Sequence, residues 1–217
     1  TGPDGTSEFS TCFRLSEAGS VLTVNSAADT DDGNCSAANC TLREAIAAAN
    51  AHPGADAIRF AILTGAQVVH VTSPLPALSG TTTLDGTSQP GWVAAPIVTI
   101  DGAGVAADGI AAAGASSIVR GLIVTGFGGI GIHVFGAGST IAGNYASGNG
   151  GDGIRVEGAI GGTVGGPTAL DRNVVGGNRG HGIFLFDSHS VTVRGNDSGT
   201  DASGATAAGN TLDGIAV

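Results

Sequence analysis

The chain contains no lysine and no methionine, and it has a single tryptophan and a single tyrosine. Charged residues make up only 12% of its 217 positions. All 8 basic residues are arginines, set against 18 acidic ones, for a net charge of −10. A surface that tracks phosphates needs clustered positive charge, so nucleic acid is excluded as an expected partner. No apolar run approaches the roughly 20 residues that a membrane-spanning helix requires, so no span is expected either. Cysteine is scarce. Cys35 and Cys40 lie five apart in a Gly-Asn-Ser-rich loop, which suits a local disulfide and an oxidising, extracellular or cell-surface location. Cys12 is left over, and three states fit it: free, paired between molecules, or displacing one of the other two. No signal peptide is visible and residue 1 is threonine, as in a processed chain. Residues 1–20 form a poorly defined N-terminal segment that carries no fold signal.

What the chain has in abundance is glycine, 39 residues, together with 41% hydrophobic residues. No Gly-X-Y period accompanies the glycine, which excludes a collagen-like chain. The interleaved Ile and Val supply enough apolar surface to offset the entropy of ordering. A Gly-Ile pair recurs at Gly109-Ile110, Gly131-Ile132, Gly153-Ile154, Gly182-Ile183 and Gly214-Ile215, with spacings of 22, 22, 29 and 32 residues. A period in the low twenties that tolerates insertions marks a solenoid, whose units bury apolar surface only against their neighbours. Short strands joined by tight corners at this period predict an all-β fold, a right-handed parallel β-helix with three sheets. An antiparallel sandwich would give no reason for one phrase to return in register.

Ahead of the repeats, Thr41-Leu42-Arg43-Glu44 is a capping box, and the following Ala-Ile-Ala-Ala-Ala-Asn has high helix propensity. Leu42, Ala45, Ile46 and Ala49 share one face, and His52-Pro53-Gly54 ends the helix. A helix over about 41–51 therefore caps the open end of the solenoid. The expected organisation is one solenoid over 21–217, with an N-terminal cap at 21–55 and rungs at 56–217. Strands are expected at 21–24, 57–60, 68–71, 82–86 and 97–102, with a turn at 88–92. The sequence stops at Ala216-Val217, within a strand that should pair onward. The rungs are thus expected to be truncated there, or to self-associate end to end as a stacking fibre module.

The segment Cys40-Thr41-Leu42-Arg43-Glu44-Ala45 resembles the Cys-Ser-Leu-Arg-Glu-Ala phrase of bacterial right-handed β-helix repeat proteins. Thr41 stands in place of the serine, which leaves the cap chemistry intact. Thr87-Ser88-Gln89-Pro90-Gly91-Trp92 and Gly199-Thr200-Asp201-Ala202-Ser203-Gly204 are similar to further phrases of that family. The resemblance implies a secreted or surface-attached scaffold, and no particular reaction.

Stacking the Gly-Ile strands in register sets Ile110, Ile132, Ile154, Ile183 and Ile215 in one inward column. Ala112, Val134, Val156, Leu185 and Val217 form a second. The outward columns then carry Ala111, His133, Arg155, Phe184 and Ala216, beside Ala113, Phe135, Glu157 and Phe186. His133, Phe135, Arg155, Glu157, Phe184 and Phe186 are the candidate ligand-binding residues. Exposed aromatic faces beside hydrogen-bonding groups suit a polysaccharide or a cell-surface glycan. The competing reading is that an insertion at 158–172 or 197–210 covers the phenylalanines.

As catalytic candidates for a polysaccharide lyase or hydrolase, Glu157 is expected one rung below Asp187, with Arg155 and His189 nearby. Asp152, His181 and Asp213 each precede a repeat glycine, where corner Asp residues also occur for purely local reasons. His133, His181 and His189 fall on different columns, so no transition-metal site is expected. In the loop at 29–34, Asp29, Asp31, Asp32 and Asn34 are candidate calcium ligands; otherwise no cofactor is expected. The asparagines of Gly143-Asn144, Gly148-Asn149, Gly177-Asn178, Gly195-Asn196 and Gly209-Asn210 suit turns and a stacked ladder, with the asparagines taking left-handed conformations.

Overall fold

A computed structural model describes residues 18–217; Cys12 and most of the N-terminal segment lie outside the described residues. The strands form three parallel sheets. Sheet 1 contains seven strands: Val21–Val24, Asp56–Phe60, Thr82–Asp85, Ile118–Arg120, Thr140–Ala142, Thr163–Gly165 and Thr192–Arg194. Sheet 2 contains six: Gln67–His70, Val98–Asp101, Leu122–Thr125, Tyr145–Ser147, Val174–Gly176 and Asp197–Ser198. Sheet 3 contains five: Ile110–Ala112, Ile132–Val134, Ile154–Glu157, Ile183–Phe186 and Ile215–Ala216. The chain visits the sheets in the order 1, 2, 3 on each regular turn, so the corner between sheets 1 and 2 lies opposite sheet 3. The fold is a three-sheet parallel β-helix, as expected, and the early strands begin or end within two residues of their expected limits.

The register of sheet 3 reproduces the inward isoleucine column. Ile110 pairs with Ile132, Ile132 with Ile154, Ile154 with Ile183, and Ile183 with Ile215. Its first four members are buried, each worth about 1.5–3 kcal/mol of transfer free energy. The glycine before each isoleucine is required by the neighbouring rung. A Cβ on Gly131 would stand 2.6 Å from Asn149 Nδ2 and 2.7 Å from the Gly153 carbonyl oxygen.

Side-chain ladders satisfy the backbone at the corners. Asn144, Asn173 and Asn196 stack between sheets 1 and 2, and Asn149, Asn178 and Asn210 between sheets 2 and 3. Each of the buried members also donates Nδ2 to a carbonyl of the preceding strand, as Asn178 does to Ala146 at 3.0 Å. At Asn144, Asn149, Asn178 and Asn196 the left-handed conformation is held by the glycine before, for example Gly143 at φ 67°, and not by the asparagine. The reason is geometric: an asparagine in extended conformation aims its amide along the stack. Ser117 and Ser139 serve the third corner, where the Ser117 amide donates to Ser139 Oγ at 3.2 Å.

The helix Leu42–Ala51 packs against the first two strands of sheet 1 and buries Leu42, Ala45, Ile46 and Ala49. Both arms of the capping box form: the Glu44 amide donates to Thr41 Oγ1 at 3.3 Å, and the Thr41 amide to Glu44 Oε2 at 2.8 Å. Glu44 Oε1 also accepts from the Asp32 amide at 2.9 Å. Burial opposes ionisation of Glu44, but these backbone donors hold its carboxyl below the usual range. The Cys35–Cys40 disulfide forms in the same cap.

Candidate functional site

The outward columns of sheet 3 meet in a continuous network of charge and aromatic rings. The register pairs Arg155 with His133 on one side and Phe184 on the other, and Glu157 with Phe186. His133 Nδ1 lies 2.7 Å from Asp108 Oδ2, and its Nε2 lies 3.2 Å from Glu157 Oε2. His133 thus bridges the two carboxylates. Arg155 is held by Asp152 Oδ2 at 2.7 Å and reaches Glu157 Oε2 at 3.6 Å. Its guanidinium also sits 5.3 Å from the centre of the Phe184 ring, a cation–π distance. The Phe184 ring in turn lies 4.8 Å from the His181 ring and 5.7 Å from that of Phe186.

Five of the six expected ligand-binding residues lie at the surface of this face. Phe135 is 43% exposed and Phe186 is 49% exposed, while Phe184, Arg155 and Glu157 are half-buried. His133 is the exception: Asp108, Glu157 and the Phe135 ring 4.0 Å away enclose it, leaving its side chain 9% exposed. It organises the face from beneath. The expected insertions do not cover the phenylalanines. Residues 166–173 fold at the corner between sheets 1 and 2, and residues 199–208 fold over Tyr145 and Val174 of sheet 2.

Sequence reasoning missed Asp108. Its Oδ1 accepts from the Ile130 amide at 2.7 Å, while Oδ2 takes His133. The His133 hydrogen bond holds its carboxyl below the usual range against the opposing effect of burial; the Ile130 amide and the charges of His133 and Arg155 add to it. Asp152 repeats the pattern two repeats on, accepting from the His181 amide at 2.7 Å. The signal was the Asp-Gly-Ile phrase itself, whose aspartate at 108 and at 152 accepts from the residue before the next repeat glycine.

The expected pairing of Glu157 with Asp187 does not form. Glu157 lies beside Phe186, and Asp187 sits one residue beyond, in a left-handed turn at φ 47°. The chain turns out of sheet 3 there, which takes Asp187 off the strand face that carries Glu157. His189 pairs with Ile160 past that turn. His181 Nδ1 accepts from the Asp213 amide at 3.2 Å.

The calcium candidates are engaged elsewhere. Asp29 is salt-bridged to Arg43 at 3.0 Å and accepts from the Thr72 amide at 2.7 Å. Asp31 and Asp32 accept from the amides of Gly33 and Asn34 within their own loop. Among the described residues, no three His, Cys, Asp or Glu side chains are grouped to hold a metal ion. The loop thus serves as a clasp on the helix: Arg43 also donates to the carbonyls of Ser73 and Pro74 at 2.8 and 2.6 Å.

No helix is long and apolar enough to cross a membrane among the described residues. No curated protein and no solved structure matches the chain. Residues 96–214, more than half of the 217, match the family described as a right handed beta helix region. The chain belongs to that right-handed β-helix family.

Proposed function

We propose that the protein is a non-catalytic carbohydrate-binding scaffold, extracellular or at a bacterial cell surface, and that the outer face of sheet 3 receives a linear glycan. The observation that carries this reading is the exposure of Phe135 and Phe186 on either side of Glu157 along one column. Two apolar rings two rungs apart, roughly 9.6 Å at the strand spacing, offer flat faces to sugar rings. Glu157 and Arg155 between and beside them supply an acceptor and a donor for hydroxyls. The column runs along the solenoid axis, so an extended chain would lie parallel to that axis. Arg155, Glu157 and Phe186 lie within strands and Phe135 directly follows one, which keeps the ordering cost of binding low. With a net charge of −10, the protein favours neutral polysaccharides over acidic ones. The disulfide in the cap supports an oxidising location.

Hydrolysis or β-elimination receives less support. Hydrolysis needs two carboxyl groups flanking the bond, and Asp187 turns off the face that carries Glu157. The test is affinity electrophoresis against a panel of neutral and acidic polysaccharides, with reducing ends and unsaturated products followed in parallel. Retardation by a neutral polysaccharide without product is the expected result. Turnover that Glu157→Ala abolishes would establish the enzyme reading instead, and retardation by none of the panel would remove the glycan.

A further inference from the structure

The two long insertions between sheets 1 and 2 occupy one corner of the solenoid, at residues 86–97 and 166–173. The two rungs between them cross that corner with Gly121 alone, or with Gly143 and Asn144. The result is two walls over a bare floor, enclosing a groove of about 280 Å³. At the two corner glycines of the floor, side chains are excluded by the walls themselves. A Cβ on Gly121 would meet Thr87 Cγ2 at 2.6 Å, and one on Gly143 would collide with the Leu170 carbonyl. Both glycines have positive φ, 69° and 67°.

One wall presents Trp92, the only tryptophan of the chain. Its Nε1 is buried and has no hydrogen-bond partner among the described residues, so the side-chain surface it turns to the groove is carbon. The other wall presents Leu170, exposed although large and apolar. Polar groups lie between them. Arg120 spends Nε and Nη2 on Asp85, at 2.9 and 2.7 Å, which leaves Nη1 without a hydrogen bond among the described residues. Asp171 accepts from Thr168 through Oδ2 at 2.7 Å, which leaves Oδ1 unused in the same sense.

We propose that this corner groove is a binding site for a neutral pyranose unit, separate from the face of sheet 3. Its volume falls below the roughly 300–1,000 Å³ of sites for drug-sized ligands and suits a single ring. An indole face and a leucine take the C–H surface of such a ring, while a free guanidinium N–H and a free carboxylate oxygen take its hydroxyls. Charge selects the neutral class. Among the lining residues Arg120 is already neutralised by Asp85, which leaves the carboxylate of Asp171, with Arg194 acting on it from outside the lining, to disfavour an acidic sugar.

Because Trp92 is the sole tryptophan, its fluorescence reports this groove and not sheet 3. The protein is titrated with glucose, galactose, mannose, N-acetylglucosamine and their methyl glycosides, with glucuronate as the acidic control, and calorimetry confirms any response. A saturable shift of emission with at least one neutral sugar is expected, and none with glucuronate. Ala142→Phe fills the floor and should weaken the response at least about tenfold with an unchanged melting temperature. Leu170→Ala, at an exposed position where folding is not in question, should weaken it as well. Phe135→Ala/Phe186→Ala should leave it unchanged, so failure of the sheet 3 reading and failure of this one are told apart. No response to any neutral sugar, a tighter response to glucuronate, or undiminished responses in the Ala142 and Leu170 variants would overturn the proposal.

Discussion

Asn178 takes two hydrogen bonds from Asn149 on a single oxygen: Oδ1 accepts from the Asn149 backbone N–H at 3.1 Å and from its Nδ2 at 3.1 Å. Both residues are buried. The same amide donates onward to Ala146 O and Asn210 Oδ1, each at 3.0 Å. One side chain thus satisfies groups in the rungs on both sides, in a chain whose tight corners cannot pair through backbone alone. Asn178→Ala strands several of them at once. At about 1–3 kcal/mol for each orphaned buried group, a loss of at least about 3 kcal/mol is expected in denaturant unfolding. A loss below about 1 kcal/mol would mean that the ladder is decorative.

The cap and the strand Thr82–Asp85 should make the protein acid-sensitive. Asp29, Glu44 and Asp85 are all held below their ordinary values of 3.8, 4.5 and 3.8. In each case burial opposes the shift. The hydrogen bonds of Arg43 and Thr72 outweigh it at Asp29, those of Thr41 and Asp32 at Glu44, and those of Arg120 and Thr87 at Asp85. A depressed folded pKa contributes stability above the unfolded value and forfeits it as pH falls through the folded one. The thermal midpoint should therefore drop as pH falls below about 4.5, and drop less steeply in Glu44→Gln, which starts lower. A midpoint that holds to pH 2 would contradict these shifts.

The disulfide joins residues five apart, so the loop it closes is short. Chain entropy assigns such a loop about 2 kcal/mol. Cys35→Ser/Cys40→Ser should lose about that much. Hydrogen exchange should locate the loss in the strand Val21–Val24 and the helix Leu42–Ala51, with the rungs after residue 100 unaffected. Faster exchange along the whole solenoid would show that the cap controls every rung.

Removing the buried imidazole of sheet 3 should loosen its face. His133→Ala leaves Asp108 and Glu157 without their shared hydrogen-bond partner. The expected cost is about 1–3 kcal/mol, together with a raised pKa of Asp108, which nuclear magnetic resonance titration would read directly. An Asp108 that titrates identically in the variant would contradict the assignment of its shift to His133.

The fold was legible because the Gly-Ile phrase carries its own register. Once Ile132 and Ile154 are stacked, every outward neighbour follows, and Arg155 beside Phe184 could be placed without coordinates. What stayed hidden depends on departures from the period. Asp187 was set one residue wrong because the chain leaves sheet 3 through a left-handed turn whose position no side chain announces. The burial of His133 depends on Asp108, 25 residues upstream, which reads like any corner aspartate. Asn173 follows an arginine instead of a glycine, so it escaped the phrase although it completes the first ladder. The insertions were visible as spacings of 29 and 32, but spacing does not say which of three corners an insertion leaves by. Asp29 read as a calcium ligand because its partner Arg43 lies on the helix, 14 residues on.

The claim on which the functional account rests is that Phe135 and Phe186 form the contact surface for glycan. It is tested most directly by calorimetric titration of the retained neutral polysaccharide into the parent protein and into Phe135→Ala/Phe186→Ala. With both rings half exposed, the variant should keep its melting temperature while its affinity falls at least about tenfold, the equivalent of about 1.4 kcal/mol. Equal affinity in the two proteins would place the glycan elsewhere and contradict the account.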